Sequence, residues 1–201
     1  MTYTLRATKS ALMLAAALFV QTEAAHACAC CTEPGQRMET TGPMDTYVRG
    51  ELALMRFASS ATLYSGPGFP DDISGIVKPS TNPYRVSAAI RGVVRFDFVD
   101  PAGKPGRVQF LLPRAMSRFE VDPRTNAGPT PPNGPNLYKE WRLSGTARLS
   151  GIAARAGSAA GATLILHGDG NSCSGASNFA RWTLTVKGRG IAFTFLGDLV
   201  P

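Results

Sequence analysis

Strict alternation of apolar and polar residues is the feature that most constrains the fold of this chain. Between Tyr84 and Val99 the even-numbered positions are mostly apolar, whereas the odd-numbered positions carry arginine, serine and aspartate. A period of two residues is typical of a β-strand with one face in a core. Because an extended segment of this length would span roughly 50 Å, we expect a bend or a bulge at Gly92.

The same alternation recurs along the chain. Trp141–Gly151 is predicted to be a second long strand, and the glycines between Lys187 and Ile191 predict a β-hairpin near the end of the sequence. Shorter strands are predicted at Glu51–Phe57, Ala61–Tyr64, Val108–Leu112, Phe119–Val121 and Thr163–His167. No segment after residue 27 shows a clear helical period. We therefore predict an all-β domain, a single antiparallel barrel or sandwich of about eight strands.

The first 27 residues have the pattern of a cleaved secretory signal peptide. Arg6 and Lys9 precede an apolar stretch, Ala11–Val20, and Ala25-His26-Ala27 has the small residues that signal peptidase requires. Ten apolar residues are too few for a transmembrane helix, which needs about 20. We therefore expect a periplasmic or secreted protein without a transmembrane helix.

The expected organisation is a signal peptide at 1–27, an irregular cysteine-rich arm at 28–50 and a β domain at 51–201. Cleavage would remove Arg6, Lys9 and Glu23, leaving 19 basic and 13 acidic residues and a net charge of +6. A partner with negative charge is compatible with this excess, although net charge bears on solubility and encounter rate more than on the partner's identity.

Three of the four cysteines stand together in Cys28-Ala29-Cys30-Cys31, and the fourth is Cys173. Thiols of an exported protein form disulfides by default. Adjacent cysteines pair only with strain, so one arrangement joins Cys28 to Cys31 and ties Cys30 or its neighbour to Cys173. That long bridge would hold the arm against the domain. Acylation of Cys28 is an alternative, which Ala25 disfavours because lipoprotein signals usually carry a larger aliphatic residue there.

A soft-metal site is the alternative use of the same cysteines. Thiolates of Cys28, Cys30 and Cys31, with the thioether of Met38, suit copper(I) or zinc. The cluster lacks the second matched pair of ligands that characterises structural zinc sites.

Two long segments interrupt the strands. Asp122–Asn136 is rich in proline and poor in apolar residues, which indicates a solvated connector. Ser65–Pro83 keeps several apolar residues and is expected to cover a sheet edge. The alternative is a lid over a barrel mouth, as a lipocalin-like carrier of a small apolar ligand would need. An outer-membrane barrel, with its arginines in the lumen, is a further alternative.

Arginines occupy the polar side of the alternating strands and define a possible surface for an anionic component of the cell envelope. They are Arg85, Arg91, Arg95, Arg142, Arg148 and Arg181. The simpler interpretation is a solvated strand face. Aromatic residues are absent from that side, so we expect no specific nucleic-acid binding.

No catalytic motif is convincing. The single histidine after the signal, His167, stands near Asp169 and Ser172, but proximity in sequence is not triad geometry, and the glycine, aspartate and asparagine residues of this segment are explained more simply as loop formers. We therefore expect a binding, structural or interaction module and not an enzyme.

Overall fold

In a computed structural model of the chain, the residues described are 35–64, 76, 83–122, 137–153, 159–170 and 175–200. They are almost entirely β-strand, as predicted. The elements are β1 (Arg37–Pro43), α1 (Thr46–Leu54), β2 (Arg56–Leu63), β3 (Tyr84–Arg91), β4 (Val93–Val99), β5 (Pro105–Leu111), β6 (Ala115–Val121), β7 (Tyr138–Gly151), β8 (Ala159–Asp169), a 3₁₀ turn (Ala176–Asn178), β9 (Phe179–Gly188) and β10 (Ile191–Val200).

Eight of these strands close into an antiparallel barrel, which confirms the predicted class. Around the barrel the order is β7, β5, β4, β3, β2, β10, β9 and β8, and β8 pairs with β7 to complete the ring. The long strand β7 is shared: its second half pairs with β5, and its first half pairs with β6. Strand β6 in turn pairs with β1, so these two strands extend the sheet beyond the barrel wall.

Aromatic rings pack together inside the barrel. The ring centroids of Phe96 and Trp182 are 4.9 Å apart, and those of Phe98 and Phe195 are 4.3 Å apart. Tyr84 meets Phe195 edge to face at 4.9 Å. All five side chains are essentially fully buried. An eight-stranded barrel is just wide enough for side chains to fill its interior, and these rings occupy it.

The strands therefore direct their apolar side chains into the barrel and their polar side chains to the outer surface. Val86, Ile90 and Phe96 are buried in the core, whereas the side chain of Arg95 on the same wall is 48% exposed. The outer-membrane alternative required the opposite arrangement, with arginines in the lumen.

The predicted bend at Gly92 is a complete reversal of the chain. Residues before and after it pair with each other in the hairpin of β3 and β4, with Ile90 opposite Val94. Gly92 has a φ of 68°, in the left-handed region that glycine adopts without steric cost. The single long strand predicted over Tyr84–Val99 is thus wrong, because the alternation continues in phase through the turn.

A helix replaces the strand predicted at Glu51–Phe57. The carboxylate of Asp45 accepts a hydrogen bond from the Val48 amide at 2.7 Å and caps the first turn of α1. Val48 and Leu52, four residues apart, are the buried face of this helix. Because only these two residues of α1 are buried, the sequence shows too few apolar positions to reveal a helical period. The arm predicted to be irregular up to residue 50 is also regular from Arg37, where β1 begins.

The other predicted strands are confirmed, within β2, β5, β6, β7 and β8, and the predicted hairpin is formed by β9 and β10. No helix in the described part of the chain is long and apolar enough to cross a membrane. The predicted signal peptide, all four cysteines and nearly all of both long interruptions lie outside the described residues. Within the interruption at Ser65–Pro83, Ile76 packs against the core.

The packing of Trp182 predicts a large cost for a single added methyl group. A Cβ atom at Gly197 would overlap the Trp182 indole, whereas one at Gly42 would meet nothing within 4 Å. Gly197→Ala is expected to lower the free energy of unfolding by about 1 to 3 kcal/mol. Gly42→Ala, the matched control, should be neutral or slightly stabilising. Urea denaturation of both variants measures the difference, and equal stabilities would contradict this packing.

Candidate functional site

The topology gathers several elements at one end of the barrel, which we name the α1 end. Helix α1, the start of β1, the end of β8 and the 3₁₀ turn all lie there. The register across four neighbouring strands aligns the start of β1 with the end of β8, because Arg37 is opposite Val121, Val121 opposite Tyr138, and Tyr138 opposite Asp169. The 3₁₀ turn leads into Phe179, which is opposite Gly168 near the end of β8, and Glu51 of α1 is hydrogen-bonded to that turn. Elements that are far apart in sequence are thus adjacent at the α1 end.

The described residues that are nearest to the cysteines in sequence, Gly35 and Gly170, also lie at this end. The Gly35 amide donates to the Asp122 carbonyl at 2.9 Å, and the Gly170 amide donates to the Leu137 carbonyl at 2.9 Å. Gly35 lies four residues after Cys31, and Gly170 lies three residues before Cys173. At about 4.8 Å per strand, the three strand spacings between these positions amount to roughly 14 Å.

A groove opens at the α1 end, with a volume of about 400 Å³. Helix α1, the 3₁₀ turn, the starts of β2 and β9 and the end of β10 form its walls. Two of its apolar side chains are unusually exposed, Leu54 at 67% and Val200 at 44%. Its lining residues are Glu51, Leu54, Met55, Arg56, Ala176, Ser177, Phe179, Ala180, Leu199 and Val200.

One hydrogen bond joins the two walls of the groove. Glu51 on α1 accepts from the Ala176 amide at 2.6 Å, so its carboxylate holds the first residue of the 3₁₀ turn. A charged acceptor gives a stronger bond than a neutral one. Phe179, which follows the turn, is buried and packs its ring against Trp141 at 4.7 Å. The groove is therefore built on fixed elements of the barrel.

A network of polar side chains lies on the outer face of β7, β8 and β9, beside the α1 end. The Tyr138 hydroxyl is 2.6 Å from Glu140 Oε1 and 2.8 Å from His167 Nδ1. His167 Nε2 is 2.8 Å from the Thr183 hydroxyl. Arg142 donates to the other carboxylate oxygen of Glu140 at 2.7 Å. The chain of contacts ties three neighbouring strands together.

The direction of each hydrogen bond follows from the carboxylate. An ionised Glu140 only accepts, so the Tyr138 hydroxyl donates to it and must accept from His167. Neutral His167 then carries its proton on Nδ1, and its Nε2 accepts from Thr183. Both ring nitrogens are therefore engaged in the network.

The environment keeps His167 neutral and Glu140 charged. Burial lowers the pKa of His167 below its ordinary value of 6.5, against the opposing effect of Glu140, and the charges of Arg181 and Arg142 lower it further. Burial alone would raise the pKa of Glu140. Hydrogen bonds from Tyr138 and Arg142 outweigh burial and bring it below its ordinary value of 4.5.

The structure separates the arginines that the sequence grouped together. Arg85, Arg91 and Arg95 lie on β3 and β4, and Gln109 of β5 joins Arg95 to Arg148 in one cross-strand row. The remaining two are elsewhere. Arg142 is bound to Glu140 and to Glu39 at 3.1 Å, and Arg181 is opposite His167 on the neighbouring strand.

Arg95 does not stand alone on its wall. It lies 2.6 Å from Asp97, and the same carboxylate also contacts Arg107 at 2.5 Å. One carboxylate between two guanidinium groups leaves this part of the wall with a positive excess. We name the exposed group formed by Arg85, Arg91, Arg95 and Arg148 the arginine wall.

Met38 is the one predicted metal ligand among the described residues. It is half-buried on β1 and lies opposite Glu120 of β6. Lys139 of β7 follows in the same row, fully buried, with its ammonium nitrogen 5.6 Å from the centre of the Phe179 ring. Within the described residues, no group of three potential metal-binding side chains of histidine, cysteine, aspartate or glutamate occurs. The metal site at Cys28, Cys30 and Cys31 stays a prediction.

No protein-family model matches this chain, and neither the curated proteins nor the solved structures contain a significant match to it. The candidate sites therefore rest on the geometry of this chain.

The sequence did not reveal the groove, because its lining comes from five separate elements, and α1 was predicted to be irregular up to residue 50 and a strand from Glu51. The polar network, in contrast, does have a pattern in the sequence that could have predicted it. Tyr138, Glu140 and Arg142 repeat at a period of two on one strand, and they are all capable of hydrogen bonding with His167, the only histidine after residue 27.

The network predicts that acid destabilises the fold through His167. A group whose pKa is lower in the folded state than in the unfolded state binds protons more readily when unfolded. Its contribution to stability is present above its ordinary pKa and is lost as pH falls below that value. Urea denaturation between about pH 7 and pH 5 should show a decreasing free energy of unfolding. In His167→Gln that decrease should be smaller, and an identical decrease in both proteins would contradict the assignment.

Proposed function

We propose that this chain is an exported binding module of the bacterial cell envelope. Its barrel is a rigid support, its ligand binds in the groove at the α1 end, and a disulfide fastens the cysteine-bearing arm to the same end. The groove is the observation that carries this proposal, because Leu54 and Val200 expose apolar surface at a concave site between fixed elements. Concave apolar surface with a few polar groups is characteristic of ligand sites.

The packing of the barrel interior favours this groove over a lipocalin-like site. A carrier of that type holds its ligand within the barrel, where Phe96, Phe98, Trp182 and Phe195 pack against one another. Opening space for a ligand would require these rings to separate. The interior of a protein is packed as densely as an organic crystal, so such a separation is costly. A binding surface outside the core carries no such cost.

The spacing at the α1 end is compatible with a bridge between the arm and Cys173. An extended chain reaches about 3.3 to 3.6 Å per residue. Four residues from Gly35 back to Cys31 and three from Gly170 to Cys173 together reach roughly 24 Å, which exceeds the estimated 14 Å between the two strand positions. Cys30 or its neighbour can therefore meet Cys173 without unpairing β1 or β8.

Two other interactions are supported less directly. The arginine wall offers exposed guanidinium groups to an anionic component of the envelope, such as phosphate or carboxylate. A copper or zinc site at Cys28, Cys30, Cys31 and Met38 is the alternative to disulfides. Counting free thiols on the native exported protein distinguishes the two uses of cysteine, because a thiolate site requires reduced sulfur.

The groove is tested with a neutral apolar dye, Nile red. Leu54→Glu places a charge on the apolar wall and is expected to weaken dye binding about tenfold. Leu111, 76% exposed on β5 outside the groove, gives the control, and Leu111→Glu should bind the dye like the unaltered protein. Fluorescence titration measures both. Equal weakening in the two variants, or none in Leu54→Glu, would refute the groove as the binding site.

The disulfide is tested on the native protein. Peptide mapping by mass spectrometry should find Cys173 joined to one of the three arm cysteines. Cys173→Ser should lower the free energy of unfolding by about 2 to 4 kcal/mol under oxidising conditions. After reduction, the two proteins should have equal stability. A reduced Cys173 in the exported protein would contradict the tether.

A further inference from the structure

The groove at the α1 end contains one cation without an ionic partner in the described structure. Arg95, Arg107, Arg142 and His167 each lie within ion-pair distance of a carboxylate, whereas Arg56 forms no ion pair with another described residue. Arg56 is the first residue of β2 and contributes to the groove lining. Its side chain is exposed, so its guanidinium is accessible from solvent.

The only acidic residue of the lining is already engaged. Glu51 accepts a hydrogen bond from the Ala176 amide at 2.6 Å, and among the described residues it forms no ion pair with Arg56. Ser177 also lines the groove and carries a hydroxyl group. An incoming anion would therefore meet the Arg56 charge beside a carboxylate that has a partner of its own.

The remainder of the lining is mostly apolar. Leu54 and Val200 are exposed, while Met55, Phe179 and Leu199 are buried and close the groove on the side of the core. An aliphatic chain matches this surface, because it gains free energy from each methylene group that leaves water. The volume of about 400 Å³ is at the small end of the range for ligand sites, which suits one chain better than a two-chain lipid.

We propose that the groove binds a single-chain aliphatic carboxylate, with the head group on Arg56 and the chain against Leu54, Leu199 and Val200. This inference rests on the proposed function and adds the class of ligand. A guanidinium pairs with a carboxylate through two parallel hydrogen bonds. One guanidinium balances the single charge of a carboxylate, whereas a phosphate monoester carries nearly two charges.

The test compares decanoate with decanol, two molecules with chains of equal length, by displacement of Nile red from the mature protein. Decanoate is expected to bind roughly five times more tightly, the contribution of one partly exposed ion pair. Arg56→Gln should remove that advantage and leave decanol binding unchanged. Arg189→Gln, at an exposed arginine of the β9–β10 turn outside both the groove and the arginine wall, is the matched control and should behave like the unaltered protein.

The outcomes separate this inference from the proposed function. Equal binding of decanoate and decanol, both lost in Leu54→Glu, would overturn the carboxylate assignment and leave the groove as a binding site. Failure of Nile red and of both amphiphiles to bind would overturn both proposals. Binding of the protein to phosphatidylglycerol vesicles through Arg56, without binding of decanoate monomers, would also overturn this inference, because it would identify a membrane surface as the partner.

Discussion

The contact between Trp182 and the rings around it is the constraint on which the rest of the structure depends. Trp182 packs against Phe96 on one side and over Gly197 on the other, where the absence of a side chain makes room for the indole. Phe98, Phe195 and Tyr84 continue the packing along the barrel. Because these rings occupy the interior, a ligand is expected to bind at the rim, where α1 and the strand ends leave a groove.

The shape of the α1 end follows from strands that do not pair along their full length. Strand β7 exchanges its partner from β6 to β5, and β2 pairs with β3 through Ser60 and Ala61. A barrel whose wall separates at one end needs other apolar groups to cover its core. Val48 and Leu52 of α1 are buried with that core and serve this purpose. The same covering helix supplies Glu51 and Leu54 to the groove.

The sequence predicted what depends on alternation and could not predict what depends on register. Period two identified the buried faces of β3, β4 and β7 and hence the all-β class. It could not distinguish a long strand from a hairpin at Gly92. One residue separates the paired positions Arg91 and Val93, so the alternation of apolar and polar residues continues unchanged through the turn. The period of two also could not predict that Arg56 and Phe179 line the same groove, because their proximity comes from the pairing of β2 with β10 and of β10 with β9. Arg142 and Arg148 are separated for the same reason, because the first half of β7 pairs with β6 and its second half pairs with β5.

The buried indoles give the most direct test of the filled barrel. Trp141 and Trp182 are both inside, and their N–H groups produce distinct signals in a two-dimensional ¹H–¹⁵N NMR spectrum. Because Trp141 packs against Phe179 of the groove lining, the Trp182 indole, which contacts Phe96 in the interior, is the probe of the barrel. Titration with decanoate should shift the amide signals of Leu54, Ala176 and Val200, while the Trp182 indole signal stays nearly unchanged. A large shift of the Trp182 indole signal, with unchanged amides along the groove, would show a ligand inside the barrel and contradict the account.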